Sequence, residues 1–186
     1  MTEWLFFGLV ALIAVQRVAE LRLSRRNAEA IRAQGGVEAG AGHMPWMKAM
    51  HTAWFVAMLA EVFLLGRPFV PWLAVVGFVG LGVGQALRYA AIRTLGPRWT
   101  TNIMILPGAP PVTSGLYRRI RHPNYLGVIL EIAAVPLIHT AWGTALVFTV
   151  LNALVLRVRI RAEEAALREA NAYDASVGQR PRFIPS

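Results

Sequence analysis

The chain has 186 residues, 56% of them hydrophobic and 16% charged, and no cysteine. That balance is too apolar for an ordinary soluble domain, and it excludes disulfides, thiolate catalysis and cysteine-ligated metal. The net charge of +9 does not indicate a nucleic-acid binder, because 19 basic residues interleaved with long apolar runs suit the ends of membrane helices better than a groove.

Five apolar segments follow in chain order, each measured against the roughly 20 residues that a spanning helix needs. The first covers about 4–23. It has no positive n-region and no small-residue cleavage site, so it reads as a retained helix rather than a signal peptide. The second, 46–65, and the third, 69–92, are long enough to cross. The third carries Gly77, Gly80, Gly82 and Gly84, and the Gly80/Gly84 spacing lets another helix approach closely, which reads as packing rather than ligand binding. The fourth and fifth, 124–138 and 142–156, have about 15 residues each, roughly 22 Å at 1.5 Å per residue, which is short for a full crossing. Only "HTA" joins them, so they form an antiparallel hairpin that returns to the side it left. The expected architecture is an all-α integral membrane protein of about five helices, three in residues 1–95 and the hairpin with a continuing C-terminal helix in 96–186.

The arginines set the expected orientation. Arg22, Arg25, Arg26, Arg32 and Lys48 lie between the first and second segments, Arg93, Arg98, Arg118, Arg119 and Arg121 between the third and fourth, and six more follow the fifth. In the opposite set of loops stands Arg67. The N-terminus is therefore expected outside and the C-terminus in the cytoplasm, and both feet of the hairpin share the cytoplasmic face. Near-exclusive use of arginine over lysine points to a high-GC bacterial source, hence a bacterial plasma membrane.

One foot carries a dense polar knot, "SGLYRRIRHPNYLGVILE". Proline favours the first helical position and disfavours α geometry before it, so His122 reads as the cap and Pro123 as the first residue of the fourth helix. Free N–H groups and the positive helix end then sit among cationic side chains, a setting that attracts a carboxylate or phosphate. The same residues also suit a positive cluster against lipid headgroups, with His122 and Tyr125 as interfacial anchors. The other foot, "LRVRIRAEEAALREANAY", stacks opposite charges along a continuing helix, with Arg159 four residues before Glu163 and Arg161 three before Glu164. Arg159 and Glu163 emerge beside the helix start that wants an anion. A pocket there would hold an arginine for an acidic group and a carboxylate for an amine or hydroxyls.

Residues 112–127, "VTSGLYRRIRHPNYLG", with "RIRAEEAAL" and the closing "RPRFIP", resemble the isoprenylcysteine carboxyl methyltransferase family of integral membrane S-adenosylmethionine (SAM) enzymes. The likeness covers about the last 90 residues, and the ordered combination S-G-x-Y, R-H-P-x-Y and R-x-x-x-E-E carries it. The resemblance implies that Pro111, Val112, Tyr117, His122, Pro123, Asn124, Tyr125 and Glu163 bind SAM, with His122, Tyr125 and the helix start at the cofactor's carboxylate end and Glu163 at its amine or ribose. It implies that Arg159 meets the methyl acceptor. Ala109, Pro110 and Pro111 stand where some relatives have polar residues, which leaves backbone contacts there, and "PGAPPV" is rigid enough to lie along a nucleoside.

The implied reaction is in-line methyl transfer to oxygen, which needs neither metal nor nucleophilic side chain. An ionised carboxylate or enolate acceptor requires no base, whereas a neutral hydroxyl does. Glu131, inside the fourth helix, is the candidate base, with His51 as its possible partner. Each is equally open to a packing role, and His51 more so. Glu61, Arg17, Glu20 and Arg88 read as structural, snorkelling or paired near the interfaces. The expected substrate is a lipophilic carboxylate, enol or phenol, prenylcysteine-like or resembling an alkylpyrone or alkylresorcinol, entering from lipid. A membrane NADPH-dependent reductase of the related superfamily and a non-catalytic scaffold are the alternatives.

Overall fold

The computed structural model describes residues 1–40, 42, 44–171 and 173–184. The last proline of the closing "RPRFIP" lies outside them.

Helix breakers and strong helix formers set the elements. Helix α1, Thr2–Ala33, continues ten residues past its apolar part because alanine, arginine and glutamate there hold helix well, and it stops before Gly35, whose φ is 85°. After a short strand β1, Val37–Ala39, come α2, Met44–Leu64, and α3, Pro71–Leu95, the latter opened by proline and stopped at Gly96 with φ 53°. Strand β2, Ile103–Ile105, pairs antiparallel with β1, Val37 opposite Ile105 and Ala39 opposite Ile103. This ribbon ties the segment after α1 to the segment after α3. A 3₁₀ turn, Gly115–Arg118, precedes α4, Pro123–Leu137, and the chain ends in α5, Trp142–Ala170, and α6, Tyr173–Val177.

Among the described residues, four helices are long and apolar enough to cross a membrane, and α4, at 15 residues, is the short apolar member. The fifth apolar segment was expected to be short as well, yet α5 runs 29 residues without a break. Apolar content ends near Leu156, but helix propensity does not, since "RVRIRAEEAALREA" is built from helix formers. The outward faces are greasy: Leu12 and Val15 on α1, Val75 and Val79 on α3, and Leu146 and Leu154 on α5 are all exposed. Hydrocarbon is the medium that suits such surfaces, which makes this an integral membrane protein.

The core joins Phe6, Val10 and Ile13 of α1 to Trp54, Met58 and Val62 of α2, to Ile132 and Val135 of α4 and to Ile138, which caps its end. Glycines bring α3 onto α4. A Cβ at Gly84 would stand 3.0 Å from the Gly127 carbonyl oxygen, and one at Gly77 would stand 2.9 Å from that of Ala134. Gly82 faces open space instead. At the hairpin turn Glu61 caps α5 from outside, accepting from the Gly143 and Thr144 amides at 3.1 and 2.6 Å and pairing with Arg67 at 2.8 Å. That turn therefore stays fixed, and the opposite end of the hairpin is left to build a site.

Candidate cofactor cavity at the hairpin foot

Local sequence places each wall. His122 is the cap of α4, with non-helical φ of −128° and ψ of 57° and no side-chain capping bond, and Pro123 is the first helical residue. The first-turn N–H groups of α4 thus lack intrahelical partners at the cavity edge. Facing them, the last turns of α5 carry Arg159, Glu163 and Glu164. A third wall is the strand and extended strip 103–112, which the ribbon with β1 holds in place. Between these walls lies a cavity of about 170 Å³.

Pro111, Val112, Tyr117, His122, Asn124, Tyr125 and Glu163 all line it. Pro123 is fully buried beneath, at the start of α4, and does not line it. The Tyr125 hydroxyl is the hinge of the constellation: it donates to Glu163 and accepts from Arg159 Nε at 2.7 Å. Arg159, only 3% exposed, does not itself line the cavity; it stands behind Tyr125 and residues 100–101, donates to the Thr101 carbonyl at 2.5 Å and lies against Met44 Sδ at 3.3 Å. Its guanidinium sits 5.5 Å from the centre of the Tyr125 ring, and the His122 ring stacks on that ring at 5.3 Å. Arginine and carboxylate of the R-x-x-x-E motif are therefore joined through a tyrosine rather than directly.

Polar atoms around the cavity are left over. Among the described residues, the buried atoms Trp99 Nε1, Arg121 Nε, Asn124 Oδ1 and Asn171 Oδ1 have no hydrogen-bond partner, and all four residues line this one space. Two are donors and two are acceptors, and a buried polar group without a partner costs about 1–3 kcal/mol. Burial pushes the Tyr117 phenol well above its usual range, with the Glu163 carboxylate reinforcing it. Burial likewise pushes Tyr173 up to about 12, with Glu164 adding to it. Both tyrosines are neutral hydroxyls at physiological pH, so neither provides a phenolate base.

Glu131 lies elsewhere. It does not line the cavity, and its carboxylate is held by Arg17 at 2.9 Å and Arg88 at 3.5 Å. The suggested partnership with His51 does not form: His51 Nδ1 turns back to the Met47 carbonyl oxygen at 2.8 Å, one turn earlier in its own helix. Arg17, Glu20 and Arg88, read as structural, snorkelling or paired near the interfaces, are paired, and they join Glu131 in a network between α1, α3 and α4.

Glu164 is the residue that sequence reasoning missed. Expected beside Arg161, it is 1% exposed and receives Arg121, His122, Arg168 and Arg182, while Arg161 is exposed. Helical spacing favours i,i+3 pairs only on one helix, and tertiary partners won. Trp99, Asn171 and Tyr173 were missed too; each is an isolated polar or aromatic residue, which carries no motif.

Comparison with known proteins fits this geometry. Residues 72–169, just over half of the chain, match the isoprenylcysteine carboxyl methyltransferase (ICMT) family. The chain belongs to that family, whose members are membrane methyltransferases that use SAM. It is 41% identical to the uncharacterized protein YpbQ of Bacillus subtilis (strain 168) over 89% of this chain and 98% of that one. It is 32% identical to an uncharacterized protein of Haemophilus influenzae (strain ATCC 51907 / DSM 11121 / KW20 / Rd) over 84% and 91% respectively. In fold it is similar to the solved structure of the eukaryotic intramembrane Ras methyltransferase ICMT, determined without a monobody, with a TM-score of 0.59 and 24% identity over 77% of this chain. The chain spans about half, 53%, of that larger protein.

Proposed function

We propose that this protein is a SAM-dependent O-methyltransferase that acts at the membrane on a lipophilic carboxylate, enol or phenol. The observation that carries the reading is the cavity's unmet polar demand. Unpartnered donors on Trp99 and Arg121 and unpartnered acceptors on Asn124 and Asn171 surround a space that also meets the Glu163 carboxylate and the start of α4. A ligand with a carboxylate at one end, an ammonium, and a nucleoside carrying both donors and acceptors suits that set, and SAM has those parts.

His122, Asn124, Tyr125 and the α4 N-terminus would hold the carboxylate end, and Pro123 fixes that helix start. Glu163 would meet the amine or ribose, and Tyr117 with the backbone of Pro111 and Val112 would lie along the nucleoside. When bound, SAM supplies an electrophilic methyl group on a sulfonium. The sulfur–carbon bond breaks as the oxygen–carbon bond forms, and the sulfur keeps the electron pair. What the chain contributes is alignment, which in favourable intramolecular cases provides roughly 7–11 kcal/mol.

Arg159 would orient the acceptor oxygen. Its existing bonds to Tyr125 and Thr101 fix the guanidinium before any acceptor arrives. Glu131 stands outside the cavity and is already paired with Arg17 and Arg88, so it is badly placed to serve a neutral hydroxyl, and an acceptor that arrives ionised is favoured. The arginine distribution supports a cytoplasmic cavity in a bacterial plasma membrane with the N-terminus outside, and the acceptor's hydrocarbon tail would stay in lipid.

Calorimetric titration of the detergent-purified protein with S-adenosylhomocysteine, beside NADPH, tests this reading. Saturable binding of S-adenosylhomocysteine alone is expected. Binding of neither ligand by folded protein would overturn the proposal, and binding of NADPH would redirect it to reduction.

A further inference from the structure

The last described residues do more than end the chain. From α6 the segment turns back under the cavity, and its backbone pairs with the residues just before α4: the Arg121 and His122 amides donate to the Pro181 and Arg182 carbonyls, both at 3.0 Å. Arg180 Nη1 donates to the Tyr117 carbonyl at 2.5 Å. Phe183 packs on the cluster of Tyr125, Leu156 and Ile160, with its ring 6.4 Å from that of His122. Four cavity-lining residues, Tyr117, Arg121, His122 and Tyr125, are thus braced from behind by residues 180–183.

One buried side chain ties these contacts together. Glu164 Oε1 is 3.0 Å from Arg121 Nη1, from His122 Nε2 and from Arg182 Nε, and Oε2 accepts from Arg182 Nη2 at 2.8 Å and Arg168 Nη2 at 3.4 Å. A carboxylate accepts, so it assigns the facing Nε2 as the proton-bearing nitrogen of His122 and fixes the ring's orientation. Three arginines and a histidine gather around one carboxylate, and although Arg168 also pairs with Asp174 at 2.9 Å, the arginines still outnumber the carboxylates that face them at the foot of the hairpin. Residual positive charge beside a helix N-terminus is what an anionic ligand group needs.

We propose that Glu164 is the positioning residue of this site: it clasps the returning segment 180–183 to the start of α4, and through that clasp sets His122, Arg121 and Tyr125 for the cofactor. Glu164 itself does not line the cavity, and its effect passes through His122 and Arg121. The inference rests on the SAM reading for the identity of the ligand, whereas the clasp itself does not.

The test pairs ligand binding with amide hydrogen exchange, using full-length protein in detergent. In Glu164→Gln, which keeps shape and loses charge, S-adenosylhomocysteine affinity is expected to fall at least tenfold. Exchange of the Arg121 and His122 amides should rise in step. Arg182→Met, at a side chain 46% exposed, is expected to fold normally and to show the same paired change at about three- to tenfold, which keeps the test decisive if Glu164→Gln fails to fold. In the wild type, S-adenosylhomocysteine should slow exchange at the Arg121 and His122 amides, a coupling that a purely structural salt bridge would not produce. Folded variants that bind within twofold of wild type overturn the proposal, as does exchange at these amides that ignores the substitutions. If the wild type binds no S-adenosylhomocysteine, the SAM reading fails alone, and the variants' exchange still judges the clasp.

Discussion

Two buried charge clusters lie in this fold, one between α1, α3 and α4 and one at the foot of the α4–α5 hairpin. In the first, Arg17 and Arg88 face Glu20 and Glu131, two cations against two anions, with Gln16 and Gln85 bonded alongside. In the second, Glu164 faces Arg121, Arg168, Arg182 and His122. The first cluster is balanced and lines no part of the cavity. The second is electropositive and borders a space where four polar atoms await partners. Arg88 Nε and Glu131 Oε1 in the first cluster also lack hydrogen-bond partners, so neither buried charge nor an unpartnered atom alone marks a site; what sets the second cluster apart is surplus positive charge beside a cavity.

Removing a cavity residue should have the largest effect on binding and little on folding. Glu163→Ala is expected to weaken S-adenosylhomocysteine binding by at least a hundredfold by calorimetry, with helix content by circular dichroism unchanged. His122→Ala is expected to lose binding as fully, because it removes both the ring that stacks on Tyr125 and a partner of Glu164.

The balanced cluster should respond in the opposite way. Arg88→Met leaves Glu20 and Glu131 short of a cation in a low-dielectric setting, which costs about 3–5 kcal/mol when a buried pair is broken. Thermal unfolding in detergent should shift strongly downward, while S-adenosylhomocysteine affinity of the folded fraction stays within twofold. A hundredfold loss of affinity in that variant would erase the distinction between the clusters.

Arg159→Lys separates binding from chemistry within the cavity region. Lysine keeps the charge but not the planar fork that meets both Tyr125 and Thr101. Methyl transfer to an accepted substrate is expected to drop by two orders of magnitude or more, with cofactor affinity changed severalfold at most. The smallest effect belongs to Arg168→Ala. Its pair with Asp174 at 2.9 Å is exposed, so the thermal unfolding midpoint in detergent should barely move.

Alkaline pH offers a further check on the second cluster. Tyr173 is neutral in the folded protein up to about 12, above its usual value of 10.0. A raised phenol favours the fold below pH 10, and that contribution is lost as pH rises from 10 towards 12. Urea or thermal denaturation across that window should show the decline, and Tyr173→Phe should lessen it.

Much of this was legible in the sequence because it rests on local rules. Proline after histidine located the start of α4, alternation of apolar runs with arginine-rich loops located the helices, and Gly80 and Gly84 announced a close helix approach, though not that α4 is the partner. The resemblance also named seven of the residues that line the cavity. What stayed hidden depends on partners far along the chain. Glu164 looked like half of an ion pair with Arg161, yet its partners include Arg182, 18 residues away, and His122, 42 residues away. Glu131 looked catalytic because a carboxylate inside a membrane helix is costly, and the arginines that stabilise it sit on two other helices. The β1–β2 ribbon escaped notice because three-residue strands carry no period.

The most direct test of the account is calorimetric titration with S-adenosylhomocysteine of three proteins side by side: wild type, Glu163→Ala and Glu131→Gln. The account predicts equal saturable binding by wild type and Glu131→Gln, and none by Glu163→Ala. Binding retained by Glu163→Ala and lost by Glu131→Gln would contradict it, and would move the cofactor site from the hairpin foot to the cluster between α1, α3 and α4.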